Sequence, residues 1–379
     1  MKKISAALLT SLLLCGTYSD SARADSAMEI LKDIEVHGFA SASYNYNFHN
    51  PKSPTNGNST NRIFDRDSNS FKFDVGELVL VRETPNVGDI GFRTDLTYGF
   101  SLPEVAKSTA SAGDVQTHDF DLQQGYVSYR APIGNGLQID GGKFITHIGA
   151  EVIEGYDGWN SNISRSFMFG LAIPFTHTGV RAIYDVNEKV SVLGMIANGW
   201  DNTTDNNNDK TLGAQIAYAA SDDVNILFNW AGGGASSANN NSDWRNIWDV
   251  VVDVALTDKT FMQLNFDYGT QESASLARLR DDAEWWGVAA ILRHDYNKWF
   301  SMNARGEFFN DDDGFRANVT TGQKMWELTL TPEIRVNQNF VFRVEYRHDE
   351  STALAFNDGS NNQLNSSQDT VAANALFYF

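Results

Sequence analysis

Ile34-Glu35-Val36-His37-Gly38-Phe39-Ala40-Ser41-Ala42-Ser43-Tyr44-Asn45-Tyr46-Asn47-Phe48-His49 separates almost completely into two faces. One carries Ile34, Val36, Gly38, Ala40, Ala42, Tyr44, Tyr46 and Phe48; the other carries Glu35, His37, Phe39, Ser41, Ser43, Asn45, Asn47 and His49. A period of two sustained over this length predicts a β-strand with one greasy and one wet face. The pattern recurs: Ile90, Phe92, Leu96 and Tyr98 interleave with Gly91, Arg93, Asp95 and Thr97, and Phe340, Phe342, Val344 and Tyr346 interleave with Val341, Arg343, Glu345 and Arg347. Periodicity alone fits two architectures. In a soluble sandwich the charged face looks out to water; in a membrane barrel it lines the lumen.

The connections separate the two. Short turns at 84–89, 131–136, 186–188, 221–223, 257–258, 296–297 and 336–338 alternate strictly with long polar segments at 50–69, 101–117, 148–173, 201–209, 233–243, 271–283, 311–323 and 351–367. Tight turns at one end and long loops at the other are the signature of an outer-membrane barrel, and the count comes to about sixteen antiparallel strands. Bulges are expected where alternation breaks, at Glu77 to Val81 and at Gly141-Gly142. The last strand keeps Val371, Ala373, Ala375, Phe377 and Phe379 on one face.

The first residues bear on compartment. Met1-Lys2-Lys3, the apolar run Ile4 to Leu14 and Ala22-Arg23-Ala24 read as a removable signal peptide over 1–24, followed by a short periplasmic segment 25–33 and a barrel over 34–379. The formal net charge of −19 becomes −21 once Lys2, Lys3, Arg23 and Asp20 leave with the signal. Such acidity excludes nucleic acid as a partner, since phosphates demand a basic footprint. The one cysteine, Cys15, lies in the signal, so no thiolate metal site or disulfide framework is expected.

Gly142 to Glu154, reading GKFITHIGAEVIE, resembles the β-barrel porin-2 family, as does Ser164 to Arg181, reading SRSFMFGLAIPFTHTGVR. Gly38 to Tyr44 and Asn198 to Asp201 are similar too. The resemblance spans most of the mature chain and implies a porin-like channel of the bacterial outer membrane. In general porins the third outer loop folds into the barrel and narrows it, so the same is expected here of segment 148–173.

That segment is the longest, and its Tyr156, Trp159, Phe167, Met168 and Phe169 must bury somewhere to offset the entropy of ordering. Glu151, Glu154 and Asp157 are therefore expected at a constriction, opposed by Arg93, Arg181, Arg305, Arg335, Arg343 and Arg347 on polar strand faces. The bland alternative pairs these arginines with Glu307, Glu333 and Glu345 along the wall. Asp74, Asp95, Asp249, Asp253, Asp267 and Glu327 are also assigned to the lumen, and with the acidic outer loops they predict a weak cation preference.

Other chemistry is poorly supported. Asp311-Asp312-Asp313-Gly314 and Asp201 to Asp209 offer oxygens for Ca²⁺ but lack EF-hand spacing. His294-Asp295 and His348-Asp349-Glu350 place adjacent residues on opposite strand faces, which is wrong for a catalytic dyad. No enzyme, no metal and no cofactor are expected. Trp159, Trp200, Trp244, Trp285, Trp286, Trp299 and Trp326 are expected to form an interfacial girdle. The expected partners are outer-membrane lipid and small hydrophilic solutes or ions, with a homotrimer implied by the porin resemblance. Two other functions stay open: a substrate-specific uptake channel with a solute-binding site, and a structural or adhesive barrel without an open pore.

Overall fold

A computed structural model describes residues 32–51, 61–65, 67–100, 120–234, 242–278, 281–359 and 363–379. The signal 1–24 and most of segment 25–33 lie outside them. Among the described residues, sixteen antiparallel strands close into one barrel. In chain order they begin with β1 Glu35–Asn47, β2 Ser70–Arg82, β3 Ile90–Tyr98, β4 Phe120–Ala131 and β5 Leu137–Ile145. After a long connection come β6 Thr176–Asn187, β7 Val190–Ala197, β8 Thr211–Ser221, β9 Val224–Gly234, β10 Trp244–Thr257 and β11 Thr260–Gln271. The set continues with β12 Ala283–Asp295, β13 Phe300–Asp311, β14 Gln323–Arg335 and β15 Phe340–Ser351. Within the long polar connection 351–367, β16 Phe356–Asp358 and β17 Gln363–Asn365 pair as a small separate sheet. Strand β18, Ser367–Tyr378, then closes the barrel against β1.

Consecutive strands pair around the whole ring, so each hairpin is local and the seam alone joins the chain ends. Phe39 faces Tyr378 and Asn47 faces Thr370 across it. The backbones of Gly38 and Phe379 exchange two hydrogen bonds of 3.0–3.1 Å, so the terminal aromatic belongs to the ladder.

Burial follows the period of two and fixes which face is which. Along β14 the buried Glu327, Thr329 and Thr331 alternate with exposed Trp326, Leu328 and Leu330. Arg305, Arg343 and Arg347 are 0% exposed, whereas Val127 is 60% exposed. Apolar side chains outward and charged ones inward is the inverse of a soluble protein and suits hydrocarbon surroundings. No helix among the described residues is long and apolar enough to cross a membrane.

The bulges fall elsewhere than expected. Register steps from Ser41–Val75 to Ala42–Phe73, leaving Asp74 extra, and from Asp95–Gln124 to Leu96–Leu122, leaving Gln123 extra. Each inserts a polar residue that the interior uses: Asp74 accepts a hydrogen bond from Ser43 Oγ at 2.8 Å, and Gln123 and Gln124 are both buried. Glu77 to Val81 pairs in register because Val79 and Val81 face inward although apolar. Gly141-Gly142 also stays in register. A Cβ on Gly142, whose φ is +144°, would fall 2.2 Å from the Gly125 carbonyl, so glycine absorbs the misfit that a bulge would otherwise relieve.

The tryptophan expectation holds for one subset only. Trp244, Trp299 and Trp326 are exposed on the outside, but Trp285 is fully buried and Trp200 nearly so. Trp159 packs on Tyr378 with ring centroids 4.7 Å apart. These three fill the interior because the long connections bring apolar partners to them. Inner-face glycines make the room: a Cβ on Gly287 would strike Met168 Cγ at 2.6 Å. Gly287→Val is therefore expected to destabilise the barrel by about 1–3 kcal/mol through overpacking. Gly306→Ala, whose Cβ meets nothing within 4 Å, should leave it unchanged. Urea midpoints of the refolded variants check both, and equal midpoints would contradict the packing described.

Candidate functional site

The connection 146–175 between β5 and β6 is tied to the barrel wall by a network of hydrogen bonds and ion pairs. Its sequence explains why it cannot simply hang in water: Ile148, Phe167, Met168, Phe169, Leu171, Ala172, Ile173 and Phe175 are all buried. They pack with Trp200, Ala231, Ile247, Trp285, Ala289, Phe309 and Met325, most of them from the inner faces of β9, β10, β12, β13 and β14. A short π-helical turn, Met168–Ala172, lies in this cluster. The Trp285 indole donates to the Ala172 carbonyl at 3.1 Å. Burial on this scale supplies the free energy that orders the segment.

Backbone amides without partners inside the segment are met by wall residues. Glu307 on β13 accepts from Phe167 N at 2.7 Å and Met168 N at 2.5 Å. Glu345 on β15 accepts from Ile163 N at 2.5 Å and Ser164 N at 2.9 Å. Glu77 on β2 accepts from Tyr156 N at 2.5 Å. Asp249 on β10 and Asn265 on β11 accept from Gly149 N and Ala150 N at 3.2 and 3.3 Å. Charge-assisted bonds to amides are about twice as strong as neutral ones, and here water is largely excluded.

The expected acids and bases meet in specific pairs. Arg305 binds Glu151 and Glu327, each at 2.7 Å, and donates to the Ser164 carbonyl at 2.6 Å. Arg343 binds Glu154 at 3.1 Å, Asn374 at 2.8 Å and the Asn160 carbonyl at 2.6 Å. Arg93 on β3 binds Asp157 at 2.5 Å and Asp95 at 2.9 Å. Arg347 binds Asp349 at 2.6 Å and the Arg165 carbonyl at 2.5 Å, with its guanidinium 4.8 Å from the Phe167 ring centre. The remaining two lie apart from these acids. Arg181 binds Asp140 at 2.9 Å and stacks on Phe144, while Arg335 sits half-exposed beside the turn to β15, 3.8 Å from Glu333.

The wall-pairing alternative fails for two of its three glutamates. Glu333 does pair with the wall, through Arg293 at 2.8 Å. Glu307 and Glu345 instead hold segment amides. Sequence reasoning missed that role, together with Glu77 and the pairing of Arg62 with Asp349 at 2.5 Å. The glutamates and Asp349 sit on polar strand faces and Arg62 lies in the connection between β1 and β2, but nothing in the one-dimensional pattern says which face meets which stretch of loop. The acidic loops are likewise occupied by structure. Asp313 accepts from Glu284 N and Ser275 Oγ and pairs with Arg278, and Asp312 pairs with Lys324. Asp205 pairs with Lys210. No cluster of three or more metal-ligating side chains occurs among the described residues.

Asp201, in the connection after β7, pins the far end of the segment by accepting from Phe175 N at 2.5 Å and Thr176 N at 2.9 Å. Burial pushes its carboxyl up to about 6, with those amides opposing the shift.

Residues 33–379 match the family described as "Putative beta-barrel porin-2, OmpL-like". The chain belongs to this porin family. No curated protein sequence matches it. Among solved structures it is similar to the outer membrane channel DcaP of Acinetobacter baumannii, with a TM-score of 0.61 and 12% identity over 91% of this chain and 97% of that one. OprB of Pseudomonas putida gives 0.59 and 9% over 94% and 97%. OmpT of Vibrio cholerae, in its trimer form, gives 0.58 and 9% over 91% and 99%. At these identities the structural likeness carries the fold alone. Family and fold together make the chain a porin-like barrel of the bacterial outer membrane, a channel rather than an enzyme.

Two outcomes follow for this porin's segment. Arg343→Met strips the donor from Glu154, Asn374 and Asn160 at once and is expected to cost about 3–5 kcal/mol, with Glu154→Gln added to it recovering part. A urea-midpoint shift equivalent to less than about 1 kcal/mol would mean the pair is not desolvated. Because the folded Asp201 carboxyl lies above its ordinary value, its stability contribution is fully present below about pH 4 and is lost as pH rises through about 6. Asp201→Asn should therefore raise stability by about 1–3 kcal/mol at pH 7.5 and leave it unchanged at pH 3.5. Equal gains at both pH values would contradict the assignment.

Proposed function

We propose that the protein is a diffusion porin in which segment 146–175 lies across the lumen as a charged constriction, passing small hydrophilic solutes with a weak preference for cations. The observation that carries this reading is the spread of the segment's partners around the ring. They run from Asp249 and Asn265 on β10 and β11, through Glu307 and Glu345 on β13 and β15, to Glu77 and Arg93 on β2 and β3. Contacts at all these points around the ring support a path for the segment through the interior.

Glu151, Glu154 and Asp157, with Arg305, Arg343 and Arg93, are the constriction pairs in this proposal, and Arg347 braces the segment behind them. Arg181 and Arg335 line the lumen away from it. Since the constriction acids are matched by arginines, the cation preference comes chiefly from the acidic mouth and the net charge of −21 left after the signal is removed. Cleavage of the signal after Ala24, leaving a short periplasmic segment 25–33, and assembly as a homotrimer complete the proposal. The trimer form of OmpT supports the assembly.

Planar-bilayer recording of the refolded mature protein tests it. Steady channels with a cation-sided reversal potential in a potassium chloride gradient are expected. The Glu151→Gln/Glu154→Gln/Asp157→Asn variant should shift that potential towards chloride, because three arginines then lose their counter-charges. An unchanged potential would remove the segment from the permeation path, and silent but folded barrels would favour a structural role.

A further inference from the structure

Two arginines at the end of the barrel that carries the long connections stand apart from the acid–arginine pairs of the proposed constriction. Arg245 projects from the inner face of β10, and Arg316 comes from the connection between β13 and β14; both are half-buried. Unlike Arg305, Arg343 and Arg347, neither forms an ion pair with any described residue. Each guanidinium makes a single hydrogen bond, through Nε: Arg245 to Gln271 Oε1 at 2.7 Å, and Arg316 to the Leu171 carbonyl of the π-turn. Their Nη groups donate to no described residue, yet none is a sealed, unsatisfied buried atom such as Arg347 Nη2.

The backs of both guanidinium groups are covered by the same rings. Arg245 lies 4.8 Å from the Trp200 ring centre and 5.2 Å from that of Phe315. Arg316 lies 5.2 Å from Trp200, 5.1 Å from Trp285 and 5.6 Å from Phe315. Stacking fixes each plane while leaving its donor edge free. The carboxylates that act on Arg316, Asp201 and Asp311, are engaged by backbone amides. Burial correspondingly lowers Arg316 to about 10. Two like charges gathered on shared rings, without a counter-ion in contact, call for an anion.

We infer that Arg245 and Arg316 form a binding site for the carboxylate of a small organic monoanion, whose oxygens accept from the free Nη groups of both arginines. The inference rests on the channel reading for its physiological meaning but not for its detection. Planar, bidentate acceptance suits the guanidinium fork. The neighbouring Asp201 and Asp311 and the acidic mouth disfavour dianions such as phosphate, so the selected solute carries one carboxylate on a neutral or cationic body.

Calorimetric titration of the refolded, detergent-solubilised barrel with propionate, at fixed ionic strength, tests the site. Saturable binding is expected, weakened at least tenfold in Arg245→Gln and in Arg316→Gln and partly kept in the Arg245→Lys/Arg316→Lys variant. Circular dichroism and heat-modifiable gel mobility report whether each variant has folded. No saturable binding by the folded wild type, or equal binding by the Gln variants, would overturn the inference. Phosphate binding more tightly than propionate would overturn the class assigned. Propionate should also reduce channel current in bilayers over the same concentration range. Binding with silent bilayers would overturn the channel and keep the site; open channels without binding would do the reverse.

Discussion

Charges that a closed barrel wall buries away from water have to be neutralised by something inside, and at Arg305 two carboxylates and a carbonyl meet that constraint. Its guanidinium is fully buried between Glu327 of the neighbouring strand and Glu151 of the long connection, with a third bond to the Ser164 carbonyl. Take away the connection and this arginine keeps one carboxylate in place of two, while Glu307 and Glu345 lose the amides that satisfy them. The wall is thus written for the segment, and the segment for the wall. Such networks are costly to leave half-made, which is why their members define one arrangement.

Polar pairing sets orientation, but apolar burial holds the segment down. The cluster around Met168, Phe169, Trp285 and Phe309 lies on one side, and the ion pairs of Arg343 and Arg93 lie on the other. One side supplies non-directional attraction and the other supplies register. Gly287 shows the interlock at the scale of one atom, since the inner wall there is missing a side chain where Met168 enters.

The barrel itself was legible from residue order, because period-two patterning and alternating connection lengths are both local properties. The connections expected at 50–69 and 84–89 bracket β2, Ser70–Arg82, and those expected at 131–136 and 148–173 bracket β5, Leu137–Ile145. The final strand's faces were likewise readable, with Leu376 and Asn374 inside and Phe377 and Phe379 outside. The site was legible only in kind. Acids in 148–173 and arginines on late strands were recognisable as partners, and Glu151–Arg305 and Glu154–Arg343 are such pairs. Which arginine meets which acid depends on the fold of a connection without periodicity. That is why Arg335, equivalent to Arg343 by pattern, ends beside a short turn. The inward tryptophans were misread for a related reason: proximity to a strand end does not say which way the ring turns.

The seam between β1 and β18 has a consequence for how the molecule comes into being. Every other strand pair is a neighbour in sequence and can form as the chain emerges, but Asn47 and Gln368, bonded across this seam, stand 321 residues apart. Until that late meeting the sheet has two open edges of unpaired amides and carbonyls, which invite pairing with other chains. Circularisation is therefore the one strand pairing that needs both ends of the barrel sequence together, and the Gly38–Phe379 backbone exchange lies at the end of that ladder. The nine paired positions from Phe39–Tyr378 to Asn47–Thr370 are thus what turns a sheet with two open edges into a ring with none.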